Sequence, residues 1–376
     1  MLRSRLLGSV VSLCLSTEVL ASSPNVVVDI APVHSLVEQV MDGVGRADLL
    51  IQPEASPHSY SLSPSEARFL SEADVIFWMS EGLTPWLEKS LATLASKAHK
   101  VEMIAVGGTT TYAFREGATF EAHDHHEEGH HEEKGHHDEE LHDDHAKHEG
   151  EHHEDNHHDH ESGLLDKFLS LFSSDSDHEE EHHDEHEGHR DDHHDDGHHD
   201  GHNHEGEDPH AWLDPMNAKV WIEKIRDVLV KHDPENALTY QQNAEKALVR
   251  LEQLITKISR ETKNLEQSKF IVFHDAYQYF ERRFGVLAAG SISLVDGQDP
   301  SPARVAEVRD LVQKLNITCV FTEPQYNAGL VSNVFEGTSV KTIGVMDPLG
   351  ANIKAGKDQY EQLMTSMLSS LKRCGS

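Results

Sequence analysis

The sequence predicts an α/β protein of two Rossmann-like lobes, each built on a parallel sheet, joined by one long helix. Two observations carry the lobes and the helix. Short apolar runs alternate with helical patterns near the start of the chain, and the same alternation begins again after residue 264. Between the two halves, one amphipathic pattern runs unbroken for about thirty residues.

The first half opens with "NVVVDIAPVHSLVEQVM" from Asn25, an apolar run passing into a helical pattern over Ser35–Met41. "DLLIQ" precedes a helix expected over Ser63–Ala73, "DVIFWM" precedes one over Pro85–Ala98, and "KVEMIAV" closes the series. An insert then interrupts the chain, which resumes at "DPHAWLDPMNAKVWIEKIRDVLVK". From Pro234 to Asn264, residues such as Tyr240, Ala244, Ala247, Leu251, Leu254 and Ile258 recur at steps of three and four. A helix of that span is about 40 Å long. "KFIVFHDA", "VLAAGSISL", "ITCVFTEP" and "VKTIGVMD" supply the strands of the second half. The expected divisions are a signal peptide at 1–21, an N-terminal lobe at 22–235, the linking helix at 236–264 and a C-terminal lobe at 265–376.

The insert at 121–207 is of a different kind. It holds 33 acids against four bases, and 26 of the 32 histidines. It therefore accounts for −29 of the formal −35, and the rest of the chain is only mildly acidic. With almost nothing apolar to bury, it reads as disordered without metal. One apolar island, "GLLDKFLSLFSS", breaks it at 163–174 and reads as a short amphipathic helix that docks on the body, with a partner-binding or membrane-touching helix as the alternative. The acidity argues against a nucleic-acid partner, whose phosphates would be repelled.

The N-terminus places Arg3 and Arg5 before a short apolar stretch and small residues, the layout of a secretory signal. Leu13 sits where a lipid-modified Cys14 would need a small residue, so an exported protein without a lipid anchor is expected. With Cys14 removed, Cys319 and Cys374 remain. An even pair in an exported chain suggests a disulfide worth on the order of 3–4 kcal/mol. Two free thiols are the alternative.

Six histidines lie outside the insert. His58 follows the "DLLIQ" strand in a Pro/Ser loop, His210 sits between two Asp-Pro steps, and His274 ends the "FIVFH" strand. Asp347 ends another. Ligands of parallel sheets bind beyond the carboxyl ends of the strands. Three imidazoles and one carboxylate from both lobes make a four-coordinate set suited to zinc, whereas manganese calls for more oxygen. His34, His99 and His232 have no such context and are read as structural.

These stretches ("SPHSYSLSPSEARFLSEADVIFW", "DPHAWLDPMNA", "FIVFHDAYQYFERRFGV", "FTEPQ" and "MDPLG") resemble the metal-binding substrate-binding proteins of bacterial ABC transporters, and among them the zinc-binding periplasmic members. The resemblance covers essentially the whole chain after the signal. It implies two lobes on a rigid helix, metal in the cleft, an inner-membrane ABC permease as partner, a periplasmic location and a monomer. It maps His58, His210 and His274 onto the three histidine ligands and Cys319 with Cys374 onto a cysteine pair. Some members place an acid ligand where Asp347 stands. Others place it directly before the first histidine, where this chain has Pro57, and water is the remaining option. The expected function is capture of zinc and its delivery to the permease, with the insert as a low-affinity collector. A zinc hydrolase and a metal-binding surface adhesin are the alternatives. The first lacks an HExxH motif and a poised general base, and the second gives no reason for the histidines.

Overall fold

In the computed structural model, residues 23–115, 120, 206–265, 268–293, 300–326 and 328–374 are described. They lie in one compact unit, Met1–His123 with His202–Ser376. The expected signal peptide, the apolar island and nearly all of the insert fall outside the described residues.

The first sheet is formed by β1 (Val26–Val28), β2 (Ala47–Leu49), β3 (Val75–Trp78) and β4 (His99–Glu102). All its pairings are parallel, in the order β2-β1-β3-β4. Between the strands run α1 (Ala31–Val40), α2 (Pro64–Glu72) and α3 (Pro85–Thr93). Helix α1 starts four residues before the expected Ser35. Pro32 sits in its first turn, where a missing N–H costs nothing, so the proline opens the helix rather than delaying it. Helix α2 starts at a capping box: Ser63 Oγ accepts from Glu66 N, and Glu66 accepts from Ser63 N.

After the insert come α4 (Pro215–His232) and α5 (Ala237–Thr262). The latter is the long helix of the sequence pattern, shortened because Pro234–Asn236 forms a separate 3-10 turn. Its buried stripe is Tyr240, Asn243, Ala244, Ala247, Leu251, Leu254 and Ile258, the face the periodicity marks.

The second sheet repeats the first. Strands β5 (Phe270–His274), β6 (Gly290–Ser293), β7 (Cys319–Thr322) and β8 (Thr342–Val345) run parallel in the order β6-β5-β7-β8. Helices α6 (Gln278–Phe284), α7 (Pro302–Leu315) and α8 (Ala328–Val334) connect them. Alternate residues of β5 serve two cores: Phe270 and Val272 face the large one, Ile271 and Phe273 the smaller one. No described helix is long and apolar enough to cross a membrane.

The last helix, α9 (Gln359–Cys374), packs its Leu363, Met364, Met367 and Leu371 into the large core that α1 and α5 share. Tyr360 N donates to Ser35 Oγ and Tyr360 Oη donates to Trp212 O. Its final residue, Cys374, is bonded to Cys319 at the start of β7. The disulfide closes a separation of 55 residues, which in the chain-entropy picture contributes about 4 kcal/mol. Thiol counting on the denatured, unreduced mature chain is expected to find no free cysteine, and reduction is expected to lower the denaturant midpoint. Two titratable thiols would contradict the pairing.

The root of the insert differs from the sequence reading. Glu207, placed inside the insert by its composition, forms an antiparallel bridge with Ala113 and accepts from Thr111 Oγ1 at 2.8 Å. The last residues of the acidic run therefore belong to the folded body. Arg115, where the chain departs, is half-buried between Asp275 and Glu281 and stacks on the Phe120 ring.

Candidate metal centre

Each sheet of this order reverses its strand progression beside its first strand, and ligands gather at the carboxyl ends there. In the second sheet that point lies between β5 and β7. His274 is the last residue of β5, and Glu323 directly follows β7. Adjacent strands thus deliver an imidazole and a carboxylate side by side, and His274 Nδ1 lies 2.7 Å from Glu323 Oε1. His274 is 3% exposed.

His210 comes from the chain after the insert. Its backbone N–H and its Nδ1 both meet Asp208 Oδ1, at 3.0 and 2.7 Å. Asp208 Oδ2 accepts from Gln278 Nε2 on α6 at 3.0 Å. Asp208 is therefore fixed before it fixes the histidine. Tyr279 Oη donates to Asp208 O, and burial together with the nearby Asp208 carboxylate holds that phenol above its usual range.

A carboxylate only accepts, so both Nδ1 atoms carry their proton toward it. In the neutral rings both Nε2 atoms are then left with lone pairs. They lie 3.4 Å apart. Two nitrogens bound to one tetrahedral zinc at 2.0–2.1 Å are themselves about 3.4 Å apart. Paired imidazole–carboxylate units of this kind orient ligands and raise their basicity.

His58 is the third histidine. Its ring centroid is 5.7 Å from that of His210. Its loop is held by Trp86 Nε1, which donates to Pro57 O at 2.8 Å, and by the capping box that follows. His58, His210 and His274 line one small cavity of about 10 Å³, with Pro57, Glu323, Gln325 and Leu349 among the other walls. Among the described residues no three His, Cys, Asp or Glu side chains are gathered closely enough to close on an ion. The arrangement is two convergent imidazoles with a third alongside.

Asp347 is placed differently. Its Oδ1 accepts from Leu349 N and Gly350 N, and its Oδ2 accepts from Ala351 N at 2.6 Å. The carboxylate holds the turn after β8, and of this turn Pro348 and Leu349, not Asp347 itself, appear in the cavity wall. Asp208 and Glu323 were not singled out from sequence. Their only signals are an acid two positions before a histidine and an acid directly after a strand.

Elsewhere, His34 Nε2 meets Ala47 O at 3.0 Å, a structural role as read. His99 and His232 are not isolated: their ring nitrogens are 2.9 Å apart and the rings stack. Nothing local marks this pairing, because the two residues are 133 positions apart.

A family model described as ZnuA, zinc-uptake complex component A, periplasmic, matches residues 26–374. The high-affinity zinc uptake system protein ZnuA of Brucella abortus (strain 2308) is 42% identical over 349 residues, covering 93% of this chain and 91% of the relative. The protein of that name from Paracoccus denitrificans is 34% identical, covering 94% and 92%. A crystal structure of ZnuA superposes with a TM-score of 0.63 at 19% identity, covering 94% of this chain and 100% of that one. The laminin-binding protein Lmb of Streptococcus agalactiae, described as having adhesin and metal transporting activity, has a TM-score of 0.62 at 18% identity, covering 94% and 100%. Both structural likenesses establish the two-lobed fold.

Proposed function

This chain belongs to the ZnuA family, and from that premise we propose that it captures zinc in the periplasm and delivers it to an ABC permease. One observation supports the reading above the others: two Nε2 atoms at zinc-ligand separation, each backed by a carboxylate on Nδ1. His210 and His274 are proposed as the first two ligands and His58 as the third, reached by a turn of its ring. Asp347 already accepts three backbone N–H bonds, so water is proposed at the fourth position.

The protein is proposed to be a carrier, not a catalyst. Asp208 and Glu323 are committed to imidazoles, so neither acts as a general base beside the ion. Zinc is cargo. The insert, with 26 histidines, is proposed as a collector of loosely held ions, since each must order flexible backbone. Export on the signal at 1–21 and action as a monomer complete the proposal. The adhesin reading has only a fold likeness behind it.

Native mass spectrometry with zinc titration tests the division of labour. The full chain is expected to take one tight ion and several loose ones. Excising Asp124–His204 is expected to leave the tight ion and remove the loose set. The loose ions are also expected to leave on acidification toward pH 6, as imidazoles protonate. An excised chain without its tight ion would place a primary ligand in the insert and end this account of the cleft.

A further inference from the structure

We propose that Gln325 holds the water at the ion's fourth position, and that the same amide ties occupancy of the site to the loop carrying His58. This rests on the zinc-capture reading above. Gln325 lies three residues beyond β7 and lines the cavity that holds the three histidines. Its Nε2 donates to Pro53 O at 3.1 Å and lies 3.5 Å from Asp347 Oδ1. Pro53 belongs to the other lobe, five residues before His58.

Both of those partners accept only, so the amide can be turned just one way. Oε1 is thereby directed away from them. It is buried and has no hydrogen-bond partner among the described residues. A buried amide oxygen left unmet is costly and calls for a donor. The Nδ1 protons of His210 and His274 go to Asp208 and Glu323, and Trp212 Nε1 donates to Pro348 O. A zinc-bound water brings the missing donor with it. The ion acidifies that water, which makes its O–H a strong donor.

An amide at this position has a consequence for a carrier. It steadies the water without adding negative charge, so three neutral imidazoles and one water hold a dication that must later be released. A carboxylate in its place would bind the ion more firmly. The Nε2 bond to Pro53 O links the same side chain to the opposite lobe. Filling the site therefore satisfies Oε1 and fixes the amide that bridges the lobes.

The test compares Gln325→Leu and Gln325→Glu with the unaltered full chain, by competition for zinc against a chelator. Leucine removes both acceptor and donor, whereas glutamate keeps an acceptor and loses the donor to Pro53. Tight zinc affinity is expected to fall about 10- to 100-fold in Gln325→Leu. In Gln325→Glu it is expected to stay within a few-fold of the original, or to rise. Unchanged affinity in Gln325→Leu overturns the proposal. Equal weakening in both variants also overturns it, leaving Gln325 as a contact to Pro53 alone. If Gln325→Leu does not fold, as judged by its melting curve, Gln325→Glu decides: a tenfold loss there overturns the proposal. His274→Ala in the same assay separates the two levels. If that variant keeps the tight ion, the cleft reading fails, whatever Gln325 does.

Discussion

His274→Ala is expected to lose the tight zinc event, with affinity falling by roughly 100-fold or more, while the chain stays folded. Removing one of three imidazoles leaves two nitrogens that cannot close a tetrahedron around the ion. The effect should exceed that of removing a supporting carboxylate. Glu323→Gln leaves an amide beside Nδ1 and is expected to cost about 10- to 100-fold, the usual range for a group that orients a ligand. Asp347→Ala is expected to cost less affinity than His274→Ala. Its oxygens hold backbone N–H groups, so its loss should appear chiefly as a looser turn at Leu349–Ala351. Chelator competition on the variants, with melting curves alongside, gives this ranking. Tight binding that persists in His274→Ala would refute the ligand set.

The second large effect is expected at Arg115. Its side chain is 15% exposed and lies between Asp275 and Glu281, whose side chains are 5% and 2% exposed. Burial pushes the Asp275 carboxyl up, and Arg115 offsets only part of that rise. Arg115→Met would leave two carboxylates buried together without a counter-charge. Breaking such a pair from one side costs roughly 3–5 kcal/mol, or a Tm lower by about 10 °C. The pH dependence has a definite sign. Without the arginine, the buried Asp275 carboxyl favours the protonated form in the folded state more than in the unfolded one. Stability relative to the original chain is then lost as pH rises. Melting curves at pH 5 and pH 8 are expected to show the larger deficit at pH 8. An equal deficit at both would mean that the carboxylates are not the cause. Asp275 directly follows His274, so the loosened cluster lies beside a proposed ligand and at the root of the insert.

The lobes were legible because their signals are local. A strand of three to five apolar residues followed by an amphipathic turn can be read without knowing its neighbours, and the long stripe of α5 matches its buried face. Boundaries were less legible where proline has two readings: Pro32 opens α1, while Pro234 sets a 3-10 turn apart from α5. The three cleft histidines stood out because each sits at a strand end or in an unusual loop. Their carboxylate partners did not, since pairing Glu323 with His274 depends on which strands are adjacent, and 49 residues separate the two. The same blindness to long-range pairing hid His99 with His232 and Arg115 with Asp275.

Diffraction at the zinc absorption edge, from crystals of the full chain grown with one equivalent of zinc, tests the central claim most directly. The account predicts one anomalous peak at about 2.0–2.1 Å from Nε2 of His58, His210 and His274, with a water as the remaining ligand. A peak that omits any of these three, or that lies outside the cleft, would contradict it.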